Sequence, residues 1–350
     1  MSNKSIIDEL YNSSSTNNDN LKKLLLMKDV DDINYLYYKA RELTNIIFSN
    51  KIYIRGLIEI SNYCKNDCYY CGIRCSNDKI KRYKLTNEEI LECCKYGYNL
   101  GFRTFVLQSG ETNNINDIYS LVQLIHNNYS DCAITLSIGE LSYDEYYLLY
   151  KAGATRYLLR HETANEEHYR ILHPNNLNLN KRKQCLNIIK DIGYQVGTGM
   201  MVGTPHQTLD NLIEDLNYLD QYHPHMVGIG PFLPASNTPF ELASSGSLEL
   251  TLKLIAIIRL MHPDALIPAT TALATLSKEG RKLGILAGAN VVMPNLSPIE
   301  IRNNYALYND KANMNSEAAE GLELLKIELA EIGYEIDYQR GDYKRRKQNV

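Results

Sequence analysis

One phrase recurs through this chain: a helical stretch, a glycine, then a short β-rich run. It reads Leu100-Gly101-Phe102 before "RTFVLQ", and Ala152-Gly153-Ala154 before "TRYLLR". It returns as Ile192-Gly193-Tyr194 before "QVGTGMMV" and as Ala287-Gly288-Ala289 before "NVVMP". Each glycine suits the position just past a helix, where a left-handed backbone ends the helix and the strand follows at once. Intervals of about 40 to 50 residues are those of βα units, and runs that are apolar throughout suit a parallel sheet covered on both faces. Eight such runs stand near residues 54–60, 103–107, 133–137, 155–160, 195–201, 226–230, 265–268 and 289–293.

Between the runs lie helical patterns with defined starts. The clearest is "LTNEEI": Thr86 as N-cap, Glu89 closing a capping box, and Leu85 with Ile90 as a hydrophobic staple. Eight strands alternating with helices imply an α/β fold of the (β/α)8 TIM-barrel type, with a doubly wound open sheet as the competing arrangement. Residues 1–50 read as a helical extension, 51–310 as the barrel, and 311–350 as a C-terminal helix and basic tail beside it. A barrel places its chemistry just past the C-terminal end of each strand.

Past the first strand comes "NYCKNDCYYCGIRCSN", which holds four of the chain's eight cysteines in the spacing Cys64-x3-Cys68-x2-Cys71-x3-Cys75. A disulfide knot is the habit of short secreted chains; 350 residues with 44% hydrophobic content and no signal-peptide core point to a reducing cytoplasm, or to the matrix of an anaerobic organelle. Structural zinc needs a second, distant ligand pair, which is absent, and bacterial ferredoxins are shorter and spaced differently. Three thiolates on one loop suit a [4Fe–4S] cluster with one iron left open, with Cys75 as bystander or as a fourth ligand. Cys93, Cys94, Cys132 and Cys185 read as small buried hydrophobes.

The formal charge of −4 shows no bias towards nucleic acid or an acidic membrane. The basic run Lys344-Arg345-Arg346-Lys347 reads as a solvated tail, and the apolar stretch Leu254–Leu260 is far too short to span a bilayer.

The C-x3-C-x2-C spacing, with the aromatic Tyr70 before its last cysteine, resembles the radical S-adenosylmethionine (SAM) superfamily. The phrases past the later strands narrow the resemblance: "VLQSGE", "RYLLRHETAN", "GTGMMVGTPHQT", "MVGIGPFLP", "IPATTALAT" and "GANVVMPNLSP". In that order they resemble the radical SAM maturases of [FeFe]-hydrogenase, in the group that also holds biotin synthase and methylornithine synthase. The likeness covers roughly residues 50–310.

The resemblance implies that Cys64, Cys68 and Cys71 ligate the cluster and that SAM chelates its open iron. It implies SAM contacts at Tyr70, Gln108, Ser109, Gly110, Glu111, Glu162, Gly230 and Pro231, and at Arg182 for the carboxylate. Without the resemblance Arg182 is an ordinary helix residue. Arg156, Arg160, Thr270 and Thr271 would form an anion-binding patch walled by Met293, Tyr305 and Tyr308. Two arginines four strand positions apart share a face, and a buried arginine needs an anion or a carboxylate such as Glu162 beside it.

The implied reaction splits SAM to a 5′-deoxyadenosyl radical, which attacks the sulfur of an anionic iron–cysteine complex carrying CO and cyanide. The implied partners are a ferredoxin or flavodoxin as electron donor and, transiently, the other hydrogenase maturases. Some relatives hold a second cluster with cysteines in the C-terminal third; no cysteine follows Cys185 here, so such a site is excluded. The rival readings are a biotin-synthase-like sulfur inserter, disfavoured by barrel strands without cysteine, a methylornithine-synthase-like isomerase, and a redox carrier or zinc protein.

Overall fold

A computed structural model describes residues 1–112, 114–311 and 318–345 of the chain. Three helices come first: α1 (Asn3–Ser13), α2 (Asn18–Leu26) and α3 (Val30–Phe48). Strands β1 (Lys51–Ile54) and β2 (Gly56–Ser61) follow, separated by Arg55. Helices and strands then alternate: α4 (Asn87–Asn99), β3 (Thr104–Ser109), α5 (Ile115–Asn128), β4 (Ala133–Ser137), α6 (Tyr143–Ala152) and β5 (Ala154–Leu158). Helices α7 (Glu166–Leu172) and α8 (Leu179–Ile192) lead to β6 (Gln195–Thr198) and β7 (Met201–Val202). Next come α9 (Leu209–Tyr222), β8 (Met226–Val227), β9 (Gly230–Pro231), α10 (Leu248–Met261), α11 (Thr271–Leu276), α12 (Gly280–Leu286) and β10 (Val291–Val292). Helices α13 (Ile299–Arg302) and α14 (Ala318–Glu331) and strand β11 (Glu335–Asp337) complete the order.

All strand pairs are parallel. Six strands run in the order β2-β3-β4-β5-β6-β8, and β10-β1-β11 form a second sheet. Single bridges join the sheets into a ring: Met226 to Leu266, Pro268 to Val291, and Leu57 to Asn295. The fold is thus a closed parallel α/β barrel. The expected seventh run, 265–268, closes the ring through these isolated bridges and forms no regular strand. Two of its four residues spend their N–H groups outside a ladder: Ala265 donates to the His262 carbonyl and Ile267 to the Asn290 side chain.

Local encoding is strong. Thr86 and Glu89 form the reciprocal capping box at the start of α4, and Leu85 and Ile90 are both buried. Gly101, Gly153, Gly193 and Gly288 all adopt φ between 97° and 120°, where other residues are strained. Helix α10 is buried along nearly its whole length, because α3 covers the side turned away from the barrel. Helices α1–α3 share one continuous apolar core with the barrel helices. No helix among the described residues is long and apolar enough to cross a membrane.

The floor of the barrel is plugged by the C-terminal segment. Arg156 Nη2 donates to Asp342 Oδ1 at 2.8 Å and to the Arg340 carbonyl at 2.8 Å, while its Nη1 donates to Thr104 Oγ1 at 3.1 Å. Gln195 Nε2 also reaches Asp342, at 3.1 Å. Thr104 and Gln195 are the first residues of β3 and β6, so this knot lies at the N-terminal ends of the strands. The expectation that Arg156 joins Arg160 in one patch is therefore corrected. Four residues along a strand span about 13 Å, so side chains on one face reach opposite ends of the barrel. Of the basic run 344–347, Arg346 and Lys347 lie outside the described residues.

Candidate active site at the barrel mouth

The cysteine loop leaves β2 and is folded by its own backbone. Cys71 N–H donates to the Cys68 carbonyl at 3.3 Å, Arg74 N–H to Cys71 at 3.1 Å, and Cys75 N–H to Asn66 at 2.9 Å. Arg82 clips the loop shut: its guanidinium donates to the carbonyls of Asn62 (2.6 Å), Ile73 (2.8 Å), Arg74 (2.6 Å) and Asn77 (3.1 Å). Asp67 takes both arms of Arg74 and the backbone N–H and hydroxyl of Ser76. Cys64, Cys68 and Cys71 are half-buried, and Cys75 is exposed.

Burial pushes the Cys64 thiol up, holds Cys68 well above the ordinary thiol value, and raises Cys71 to about 12, and for Cys68 and Cys71 a neighbouring cysteine adds to the rise. Three such thiols shed their protons together only if a cation takes up the negative charge. Among the described residues, no three His, Cys, Asp or Glu side chains close in on one single-ion position. The sulfurs of a cluster's ligands stand wider apart than those of a lone ion.

The turn after β3 lies against this loop. Gly110 N–H donates to the Ser61 carbonyl at 3.2 Å, and Lys65 N–H to Glu111 at 2.9 Å. A Cβ on Gly110 would stand 2.3 Å from the Tyr63 carbonyl oxygen and 2.7 Å from Cys64 Cβ, so only glycine permits this approach. Gln108 and Ser109 are half-buried at the end of β3, and the Ser109 hydroxyl donates to the Gly110 carbonyl.

Arg182, on α8, reaches across to the same turn. Its Nη1 donates to Glu111 Oε1 at 3.1 Å, and its Nε stands 3.0 Å from Glu140 Oε1 without completing a hydrogen bond. Burial disfavours this charge, yet Glu111 and then Glu140 hold the guanidinium well above its usual value. The arginine therefore carries two carboxylates of its own.

Tyr70 packs against Leu172, Met201 and Phe232, and its hydroxyl meets His173 Nε2 at 3.2 Å. His173 Nδ1–H donates to the Tyr169 carbonyl, which leaves Nε2 as the acceptor for Tyr70. Burial pushes this imidazole down to about 3, so it is neutral.

On the opposite wall, Glu162 adopts φ 67°, a left-handed backbone costing a non-glycine residue about 1–2 kcal/mol. Its neighbours hold it there. Glu162 N–H donates to Gly199, Met201 N–H to Glu162, and buried Asp215 on α9 accepts from Ala164 N–H while standing 3.3 Å from His161 Nε2. Arg160 Nη2 lies 3.0 Å from Glu162 Oε2, yet the two are misaligned and neither atom completes a hydrogen bond. Thr270 Oγ1, at the start of α11, is also buried without a partner and faces Gly230, where a Cβ would come within 2.9 Å. Pro231 pairs with Val202 beside it, and Thr271 opens α11.

The segment after α13 straps the mouth. Leu307 O accepts from Gly72 N–H, Asn304 O from Asn62 Nδ2, and Asn309 bonds both Pro234 and Ser236. It brings Tyr305 and Tyr308 inward, with Tyr305 near Glu59 and Cys71, and Tyr308 near Glu59 and Arg160. Glu59 is buried and paired with Lys311 and with Asn295 Nδ2 at 3.0 Å. Met293 packs lower, on Met226, Leu266 and Val291.

The structure thus gathers the cysteine loop, the "QSGE" turn, Glu162, Arg160, Arg182, Thr270, Tyr305 and Tyr308 at one end. It leaves Arg156 at the other. Cys93, Cys94, Cys132 and Cys185 are buried away from the loop. Sequence reasoning missed Glu140, Glu59 and His173. Glu140 had a readable signal, since "AITLSIGE" ends the third barrel strand in a glycine turn like that of "VLQSGE". The residues fit a thiolate-ligated cluster with a polar cofactor beside it. Three high-pKa thiols share one loop, a glycine cradle backs it, and unpaired polar atoms line the facing wall.

A family profile described as "Radical SAM superfamily" matches residues 58–219. The chain is 40% identical to the [FeFe] hydrogenase maturase subunit HydE of Thermotoga maritima, over 89% of each chain. It is 31% identical to a 3-methylornithine synthase of Methanosarcina acetivorans, over 85% of each. Among solved structures, methylornithine synthase (PylB) superposes with TM-score 0.84 at 28% identity, covering 95% of this chain and 97% of that one. The [FeFe]-hydrogenase maturase HydG superposes with TM-score 0.81 at 24% identity, over 97% and 77%, a likeness of fold.

Proposed function

Since this chain belongs to the HydE family of radical SAM enzymes, which use a [4Fe–4S] cluster and S-adenosylmethionine, we propose that it matures [FeFe]-hydrogenase by acting on an anionic iron–cysteine complex bearing CO and cyanide. The bound cluster and SAM supply a 5′-deoxyadenosyl radical for the sulfur of that complex. Cys64, Cys68 and Cys71 hold the cluster, and exposed Cys75 stays outside its ligand set. Gly110 lets the backbone after β3 close on the cysteine loop, so that Gln108, Ser109 and Glu111 face the cofactor. Arg182 meets the SAM carboxylate, aimed by Glu111 and Glu140. Tyr70, held by His173, Glu162, Gly230 and Pro231 line its remaining sides.

The observation that carries the substrate reading is the misaligned Arg160–Glu162 pair beside the unpaired Thr270 hydroxyl. A half-buried guanidinium whose shielded Nε and Nη2 have no acceptor attracts an anion, and the pair costs less to open than an aligned one. Thr271, Tyr305 and Tyr308 complete the wall, and the strap keeps water from a radical and from organometallic iron. The hydrogenase maturation machinery and an electron donor are the partners this role requires.

Anaerobic cluster reconstitution followed by SAM and dithionite tests the chemistry; absence of 5′-deoxyadenosine sinks it. Restoring hydrogenase activity to a strain lacking its own maturase tests the role. The likeness to methylornithine synthase supports a second reading, lysine isomerisation. Conversion of lysine in the same assay, without complementation, would select it.

A further inference from the structure

Resting on the reading that Glu162 contacts SAM, we propose that Asp215 of helix α9 is a positioning residue for the cofactor. It acts through His161 and Ala164, and holds Glu162 in the conformation that faces the mouth. Glu162 adopts φ 67°. A non-glycine residue keeps such a backbone only where its surroundings over-determine it. Asp215 is fully buried, and a single oxygen of its carboxylate reaches both flanks of Glu162. Its Oδ1 accepts from Ala164 N–H at 2.5 Å and stands 3.3 Å from His161 Nε2. His161, itself fully buried, meets Thr198 Oγ1 through Nδ1 at 2.9 Å. The residue before Glu162 and the residue two after it are thus tied to the same atom.

The rest of the turn is fixed from other elements. Lys183 Nζ donates to the Ala164 carbonyl at 3.0 Å, so α9 holds the N–H of this residue and α8 its carbonyl. Lys183 follows Arg182, and the helix that steadies the turn is therefore the one that presents the arginine of the SAM carboxylate. Thr163 Oγ1 meets His168 Nδ1 at 3.0 Å, while Asn165 caps α7 and reaches Glu214. With its neighbours pinned, Glu162 keeps its own carboxylate beside Arg160.

Packing alone does not call for a carboxylate at position 215. The buried face of α9 includes Leu212, Ile213, Leu216 and Leu219, and an apolar side chain of similar volume there would spare the desolvation of a charge. Asp215 Oδ2 is buried with no hydrogen-bond partner among the described residues. Burial pushes the carboxyl up, against the pull of His161 and of Ala164 N–H. The acid weakens the core and supplies direction, because a hydrogen bond fixes an angle that apolar contact leaves free.

The test compares Asp215→Ala, Asp215→Asn, Glu162→Ala and the double Asp215→Ala/Glu162→Ala with Leu216→Ala, a buried truncation on the same helix. SAM affinity is measured by anaerobic calorimetry on the oxidised holoprotein, with 5′-deoxyadenosine formation followed in parallel under dithionite. Asp215→Ala should weaken SAM about tenfold, and Asp215→Asn, which keeps Oδ1, should stay within about twofold of wild type. The double variant should bind no worse than Glu162→Ala, because the two residues act through one contact. Leu216→Ala should lower the melting temperature and keep its SAM affinity. A crystal structure of the Asp215→Ala apoprotein should show Glu162 outside the left-handed region. Should that variant not fold, Thr198→Val removes the other hydrogen bond of His161 and carries the same comparison with Glu162→Ala. Additive losses in the double variant, an equal loss of SAM affinity in Leu216→Ala, or an unmoved Glu162 overturn the positioning role. Wild-type affinity in Glu162→Ala overturns the reading of Glu162 on which it rests, and failure of wild type to cleave SAM overturns the radical SAM reading.

Discussion

Arg182 Nη1 lies 3.1 Å from Glu111 Oε1, tying helix α8 to the turn that follows β3. The same guanidinium faces Glu140 at the end of β4, so three barrel units meet at one charge. Removing the Glu140 charge should misdirect the arginine without unfolding the protein. Glu140→Gln is expected to raise the KM for SAM about tenfold, or about 1.4 kcal/mol, with kcat changed much less. A kcat loss at constant KM would contradict this role.

The cysteines separate by exposure. Alanine at Cys64, Cys68 or Cys71 should abolish the charge-transfer absorbance of the reconstituted cluster, whereas Cys75→Ala should keep both iron content and absorbance. A cluster lost from the Cys75 variant would reassign the fourth iron to protein.

Gly110→Ala places a methyl 2.3 Å from the Tyr63 carbonyl oxygen. Backbone cannot yield as a side-chain tip does, so the cysteine loop must move, at a cost of about 1–3 kcal/mol. Denaturant titration should show that loss, and the reconstituted cluster should fade faster in air than in wild type.

Arg82 satisfies four carbonyls of the loop at 2.6–3.1 Å. Arg82→Lys keeps the charge but lacks the planar fork, and should cost about 2–4 kcal/mol in unfolding free energy. Equal stability of the two proteins would show that water replaces the clip.

At the barrel floor, burial works against the Asp342 charge, but the Arg156 hydrogen bond and charge hold its carboxyl down at about 2. A carboxyl depressed in the folded state adds stability that is present above its unfolded pKa, near 4, and is lost as pH falls through 2. Discounted for its partial exposure, this is about 1–2 kcal/mol between pH 4 and 2. Asp342→Asn should remove that part of the acid dependence; an unchanged acid transition would count against the pair.

The alternation of helix and strand was legible in the chain, because capping boxes and left-handed glycines act within a few residues. Thr86 with Glu89, and the four glycines that end helices, behave as read. The barrel followed from their repetition, and the cysteine loop from its position past the first strand. Its spacing is covalent and needs no partner to be recognised.

Which inward side chains meet was decided by closure of the ring. Arg156 lies within β5 and Arg160 two residues past its end, so one closes on Asp342 of the C-terminal segment and the other stands beside Glu162 at the mouth. Lys311 finds Glu59, and Glu140 finds Arg182, across long separations in sequence. Such pairs depend on strand stagger and on where distant segments return, quantities that emerge only when the whole barrel packs. Local preferences wrote the elements of this protein; its closure chose the neighbours of each charge.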